Sequence, residues 1–168
     1  MIARGLIRSG CVLLLCLGGC SGSMQQEPEV IERGWLVRQV FDSPELQVFR
    51  SGYDSSHVDP AFMSMIHDAN PGVGILVFLG TWCPDSKREV PRFLKIADSS
   101  GISPDSIRFY GLDRTKKSTD GMTDRYDITR VPTFIFLKGG EEIGRITEAP
   151  TATLEGDILT IFAGARGH

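Results

Sequence analysis

The stretch that decides how this chain folds is "GILVFLGTWCPDSKREVPRFLKIA", residues 74–97. Its first part, Gly74 to Gly80, is a continuous apolar run of strand length, which predicts a buried, parallel strand. In its second part Val90, Phe93, Leu94 and Ala97 recur at helical spacing, with Lys87, Arg88, Glu89 and Lys95 on the opposite side. Pro91 falls inside that helix and should kink it. The junction, "TWCPDS" (81–86), places Cys83 where a strand hands over to a helix.

That position gives the cysteine a chemistry. The free N–H groups and the macrodipole at a helix start favour negative charge, and a thiol placed there gains thiolate character. Ser86 lies one helical turn on, where its hydroxyl is able to donate to the sulfur. Lys87 and Arg88 add positive charge and Asp85 opposes it. The alternative is an inert buried cysteine, against which the polar flanks Thr81, Asp85 and Ser86 argue.

Working outward, "DPAFMSMIHDA" from Asp59 carries a helix start, with Asp59 as N-cap and Pro60 at the first helical position. Phe62, Ile66 and Ala69 mark its apolar face, and "NPG" (70–72) ends it. Residues 30–55 stay open: "GWLVRQVF" reads as strand or helix, and "DSPEL" as a turn or a helix start. Downstream, "SIRFYGLD" (106–113) is a strand and "TDGMTDRYDI" holds a short helix or turn. "TFIFLKGGEEIGRITEA" forms two strands joined at Gly139–Gly140. "TATLEGDILTIFAG" closes the chain as an amphipathic helix with Leu154, Ile158, Ile161 and Phe162 on one side. These elements predict an α/β/α sandwich of three layers.

The N-terminus reads as a targeting segment. Arg4 and Arg8 precede a short apolar run, "CVLLLCL" (11–17), and "GGC" follows. "LGGC" (17–20) resembles the lipobox of bacterial lipoproteins, which implies cleavage before Cys20 and lipidation of that residue. An ordinary signal peptide or an uncleaved apolar anchor is the other reading. The expected organisation is a signal peptide over 1–19, a lipidated N-terminus and polar tether over 20–29, and one domain over 30–166. Loss of Cys11 and Cys16 with the leader, and lipid on Cys20, leave Cys83 as the one free thiol of the four cysteines. A lone thiol is an unusual thing to keep in an oxidising compartment. Ser21 after the lipidated position implies, in a Gram-negative cell, an outer-membrane destination.

The 168 residues are enough for one domain with a real core. A net charge of −3 leaves no basic footprint for nucleic acid. His57 and His67 have no ligand spacing and no partner cysteines, so neither a metal nor another cofactor is expected. Trp35 reads as a core or interface residue. Asp113 ends a core strand on the edge that carries the site, where it lines the cleft or caps a loop. Arg114, Lys116 and Lys117 read as a solvated loop.

"WCPDS", the proline eight residues after the cysteine, the strand ending in "GLD", and "YDITRVPTFIFLKGGE" together resemble the thioredoxin superfamily over about 71–162. More narrowly they are similar to exported thioredoxin-like proteins with a "GTWC-x-DS-x-REVPRF" pattern. The resemblance implies a thioredoxin fold with a mixed central sheet. It makes "RVPT" (130–133) a cis-proline loop beside Cys83, where the Val131 backbone pairs with an extended substrate segment. Trp82, Pro84, Arg130 and Pro132 then border that groove, with Trp82 and Pro132 giving apolar contact. The chain departs from the family twice. Ser86 replaces the resolving cysteine, and Val77 stands where thioredoxin carries a buried aspartate. The expected function is therefore single-cysteine thiol–disulfide exchange in the cell envelope. A mixed disulfide at Cys83 with a protein or small-thiol substrate would be released by an external thiol. Two alternatives remain: a non-catalytic module that binds an extended peptide, and a thiol peroxidase or peroxide sensor working through a sulfenic acid, for which the P-x-x-x-T-x-x-C pattern is missing.

Overall fold

The structure, a computed structural model, describes residues 29–165. The leader, Cys20 and most of the tether lie outside the described residues. In chain order the elements are β1 (Gly34–Leu36), α1 (Gln47–Ser55), α2 (Pro60–Ala69), β2 (Gly74–Leu79), α3 (Pro84–Ser99), β3 (Ile107–Gly111), α4 (Met122–Arg125), β4 (Thr133–Lys138), β5 (Glu141–Thr147) and α5 (Leu154–Ala165). The open region resolves into both alternatives. "GWL" is strand, "RQVFD" is a 3-10 turn, and "PEL" is a second such turn that feeds α1.

The five strands form one mixed sheet in the order β1-β3-β2-β4-β5. β2 runs parallel to β3, whereas β1 is antiparallel to β3, and β4 is antiparallel to both β2 and β5. The buried strand that precedes Cys83, β2, is central, flanked by β3 and β4. The β4–β5 hairpin turns at Gly139 and Gly140, with φ of 62° and 90°. Two successive left-handed residues are what a tight hairpin needs, and glycine adopts them at no steric cost.

Because side chains alternate along a strand, β2 feeds two different cores. Ile75, Val77 and Leu79 enter a large cluster with residues of α1, α2, α3 and α5. Leu76 and Phe78 enter a smaller one with Cys83, Tyr110, Leu112, Ile128, Val131 and Ile135. The three layers are thus present but unequal. The long helices share one face, and the other is covered by the segment after β3 with the four-residue α4.

Three expectations about side-chain placement are corrected. On α2, Asp59 caps as expected, its carboxylate accepting the Ala61 N–H at 2.8 Å. The buried face, however, is Met63 and Ile66, and Phe62 is 38% exposed. Ile66 and Ala69 face the core as expected, and Met63 takes the place expected of Phe62. Glu89 belongs to the buried side of α3, not the solvent side: it is 2% exposed, and its oxygens accept from Arg88 Nε at 2.6 Å and an Arg92 guanidinium nitrogen at 3.2 Å. Two guanidinium partners offset the desolvation of one carboxylate. Of the two readings of Trp35, core or interface, the core one is excluded: it is a 46% exposed edge-strand residue. Tyr110 packs edge-on to its ring at 5.1 Å, and the Arg108 guanidinium lies 4.2 Å from it.

Candidate active site

The last residues of β2 and the first of α3 are locked together around Gly80. Its carbonyl accepts the Cys83 N–H at 2.9 Å, and its N–H donates to Ser86 Oγ at 3.2 Å. The Trp82 ring folds back on it so closely that a Cβ at residue 80 would lie 2.7 Å from the indole. Trp82 is fixed from the far side as well, its indole N–H donating to the Leu112 carbonyl at 2.8 Å. The Arg114 guanidinium covers the ring at 5.0 Å.

Cys83 is the N-cap of α3, with Pro84 at the first helical position, exposed at the surface. Its own carbonyl accepts the Lys87 N–H at 3.0 Å, the first bond of the helix. The thiol donates to the Val131 carbonyl at 3.2 Å across the loop that precedes β4. Val131–Pro132 is a cis peptide bond, as the V-P-T motif leads one to expect. Two elements 48 residues apart in sequence thus meet at one sulfur. They are pinned behind it by Phe93 of α3 and Phe134 of β4, both fully buried, with ring centroids 4.9 Å apart.

Several details differ from the sequence reading. Cys83 is 6% exposed and Ser86 is fully buried, so polar neighbours in the sequence do not mean an open site. Thr81, Ser86 and Cys83 face inward because each satisfies a buried backbone group. The oxygen of Ser86 accepts from Gly80 while the thiol of Cys83 donates to Val131, so the two side chains expected to pair have separate partners. Pro132 is buried and its carbonyl accepts the Glu148 N–H at 2.7 Å, leaving Trp82 and Pro84 as the apolar surface at the cysteine. Val77, six residues before the cysteine, is fully buried between Phe109 and Phe134 in the sheet.

The charged rim is paired throughout. Arg130 holds Glu148 at 2.7 Å, and Arg88 holds Asp85 at 2.7 Å. Asp113 caps the following loop, accepting the Thr115 N–H at 2.9 Å, and faces Arg33 at 3.4 Å. The Thr115 hydroxyl, its N–H and Arg33 hold the Asp113 carboxyl below its ordinary range. His67 Nδ1 lies 3.1 Å from the Ser100 carbonyl, away from the thiol loop.

A contribution not visible in the sequence comes from the N-terminal strap. The Thr81 hydroxyl donates to the Val30 carbonyl at 2.7 Å and accepts the Glu32 N–H at 3.1 Å. Glu29, assigned to the tether by composition, bridges Lys87 of α3 and Arg114 of the loop after β3. Desolvation pushes its carboxyl up, but the hydrogen bonds from Lys87 and Arg114 outweigh that and hold it below its ordinary value. No spacing rule announces a contact made across 58 and 85 residues.

A thiol at a helix start, facing a cis-proline loop at the end of a central strand, is the arrangement the sequence resemblance implies. The family model "Thioredoxin" matches residues 53–159, well over half of the chain. The chain belongs to the thioredoxin family. The thioredoxin of Malassezia sympodialis is 31% identical over 86 residues, covering 51% of this chain and 78% of its own. A thioredoxin-like protein of Acanthamoeba polyphaga mimivirus is 29% identical over 98 residues, covering 58% and 69%. Among solved structures, a Pseudomonas aeruginosa protein of unknown function superimposes with a TM-score of 0.52 over 70% of this chain and 81% of its own, at 19% identity, a likeness of fold. The general function of the family is thiol–disulfide redox chemistry, and its substrates are protein thiols and disulfides. The matched span begins at Tyr53, so β1, the strap and most of α1 lie outside it.

Proposed function

We propose that this thioredoxin-like protein performs single-cysteine thiol–disulfide exchange at Cys83 in the cell envelope, tethered there by lipid on Cys20. The observation that carries the exchange reading is the Cys83–Val131 contact. The thiol is held against the one backbone carbonyl that an extended substrate would use. A substrate N–H that takes over the Val131 carbonyl removes the acceptor of the thiol proton, so binding and release of the thiol are one event. The thiolate then attacks a substrate sulfur and a mixed disulfide forms. Ser86 offers no second sulfur, so an external thiol completes the cycle. The envelope location and the anchor rest on the LGGC junction and the polar stretch after it.

A second reading has its own observation: a thiol 6% exposed and already hydrogen-bonded suits a peptide-binding module whose cysteine is spent on structure. Ser86→Cys separates the two. Wild type should accumulate a mixed disulfide with a disulfide-containing protein substrate until a free thiol is added. Ser86→Cys, one helical turn from Cys83, should release the partner by intramolecular attack and gain insulin-reducing turnover with a dithiol. Failure of wild type to trap any partner, together with failure of Ser86→Cys to form an internal disulfide, would replace exchange with binding. For the anchor, Cys20→Ala should shift the protein from the membrane fraction to a soluble or unprocessed form. An unchanged mass and membrane fraction would reject lipidation.

A further inference from the structure

The ion pairs around the thiol are of two kinds. Arg88 pairs with Asp85 and Glu89 of its own helix, and Arg130 with Glu148, which follows the neighbouring strand. Lys87 and Arg114 behave differently. They come from different elements, α3 and the loop after β3, and converge on a single carboxylate supplied by a third segment. Both belong to the exchange site. Lys87 donates its N–H to the Cys83 carbonyl, and Arg114 covers Trp82, the residue before the cysteine. The strap carrying Glu29 is itself clipped to Thr81 through Val30 and Glu32. Two cations that converge from the first turn of the cysteine helix and from over Trp82 form a recognition element for an anion, here a carboxylate.

We propose that Lys87 and Arg114 form a carboxylate-binding notch of the exchange site, occupied by Glu29 in the free protein, and that disulfide substrates with a carboxylate close to the reacting sulfur displace Glu29 from it. The inference rests on the exchange reading above and adds the substrate class. Glu29 is 35% exposed, as is expected of an exchangeable ligand. Exposed pairs are individually weak, so replacing one carboxylate by another costs little. Being intramolecular, Glu29 is present at high effective concentration. A free carboxylate does not compete with it, whereas one delivered by a substrate already paired at Val131 does.

The chemistry of the probe reaction is simple exchange. Cys83 gives its proton to solvent and its thiolate attacks one sulfur of the probe. The Cys83–sulfur bond forms, the probe disulfide breaks, and the second sulfur leaves as a thiolate with the bonding electron pair. Cys83 is oxidised to the mixed disulfide and the leaving half is reduced, with no further oxidant.

The test compares second-order rates of the purified full-length protein at low salt with two aryl disulfides, dithiobis(nitrobenzoate), which carries a carboxylate on each ring, and neutral dithiodipyridine. The Cys83→Ala rate is subtracted to remove other thiols. The ratio of acidic to neutral rate should rise about threefold or more in Glu29→Gln, the scale of one exposed ion pair. Adding Arg114→Gln should abolish that gain. Asp85→Asn removes the same charge beside the cysteine but outside the notch, and should give a clearly smaller rise. An unchanged ratio in Glu29→Gln, or an equal rise in Asp85→Asn, overturns the notch and leaves exchange standing. No reaction of wild type with either probe overturns exchange and the notch with it. Oxidised glutathione, and a disulfide-linked peptide with aspartate beside its cysteine against its asparagine counterpart, then distinguish the source. A gain with one of them assigns the notch to a small acidic thiol or to a protein chain, a gain with both keeps the shared carboxylate specificity, and a gain with neither overturns it.

Discussion

The two faces of the sheet are built from the same strands and differ in almost everything else. One carries Phe93, Phe134, Phe136, Phe162 and, among the described residues, fifteen buried aliphatic side chains beneath α1, α2, α3 and α5. The other carries Cys83, Tyr110, Ile128 and Val131, with Trp82, Met122 and Tyr126 partly buried, beneath a loop and one short helix. On the first face apolar packing does most of the positioning, although Glu89 and Ser100 are buried there too. On the second, hydrogen bonds do the positioning: thiol to Val131, indole to Leu112, and the Tyr110 hydroxyl to Asp120 at 2.8 Å. Packing is dense and non-directional, hydrogen bonds are sparse and directional. Stability therefore concentrates on the thick face and geometry at the sulfur on the thin one.

The largest expected effect comes from breaking the thick face. Phe93→Ala opens a cavity between α3 and β4 and should cost about 3–5 kcal/mol by urea unfolding. It also removes the ring that pins the cysteine helix to the cis-proline strand, so the surviving folded fraction should react more slowly at Cys83. A loss below about 1 kcal/mol would mean that the two cores share the load more evenly than their composition implies. Next is Gly52→Ala on α1, where the new Cβ would lie 2.8 Å from Pro91 Cγ. Better helix propensity, about 1 kcal/mol, opposes an overpacking cost of about 1–3 kcal/mol. A small net loss in thermal melting is expected, and a gain would show that α1 is free to slide away from α3.

Trp82→Phe on the thin face should cost only about 0.5–1.5 kcal/mol for the lost bond to Leu112. Its signature should be a changed Cys83 reactivity with little change in melting temperature, the opposite balance to Phe93→Ala. Equal losses in both readouts would erase the distinction between the faces.

The smallest effect is at the outer edge of the thick face, where Arg38 and Tyr53 both donate to Asp98. Burial raises the Asp98 carboxyl, but the hydrogen bonds from Arg38 and Tyr53 outweigh it, and the group titrates below its ordinary 3.8 when folded. A depressed folded value means that the stabilisation is complete above 3.8 and is lost as pH falls through the folded value. Asp98→Asn should thus lower stability near neutrality and flatten the acid limb of the stability curve. Parallel curves for the two proteins, from urea midpoints across the acid range, would reject the linkage.

The sequence by itself determined the elements with strong periodicity and singled out Cys83 as the candidate reactive group. The apolar run before Cys83 reads as a buried strand, the 90–97 spacing as a helix, and Gly139–Gly140 as a hairpin turn, because those signals are local. Cys83, Val131 and Pro132 were legible as one site through the family resemblance, and the structure brings them together. What only the tertiary structure decided depends on contacts between distant segments. It chose the face on which each helix lies, so that Met63 and Glu89 are buried and Phe62 is not. It ran β1 antiparallel to β3, beyond the span shared with the family. It made Gly80 the pivot of the thiol loop and carried Glu29 across the molecule to Lys87 and Arg114. Local propensity is set by neighbours in the chain. Burial of a carboxylate or the choice of an ion-pair partner is set by desolvation and charge contributed from 58 or 85 residues away, which no local pattern encodes.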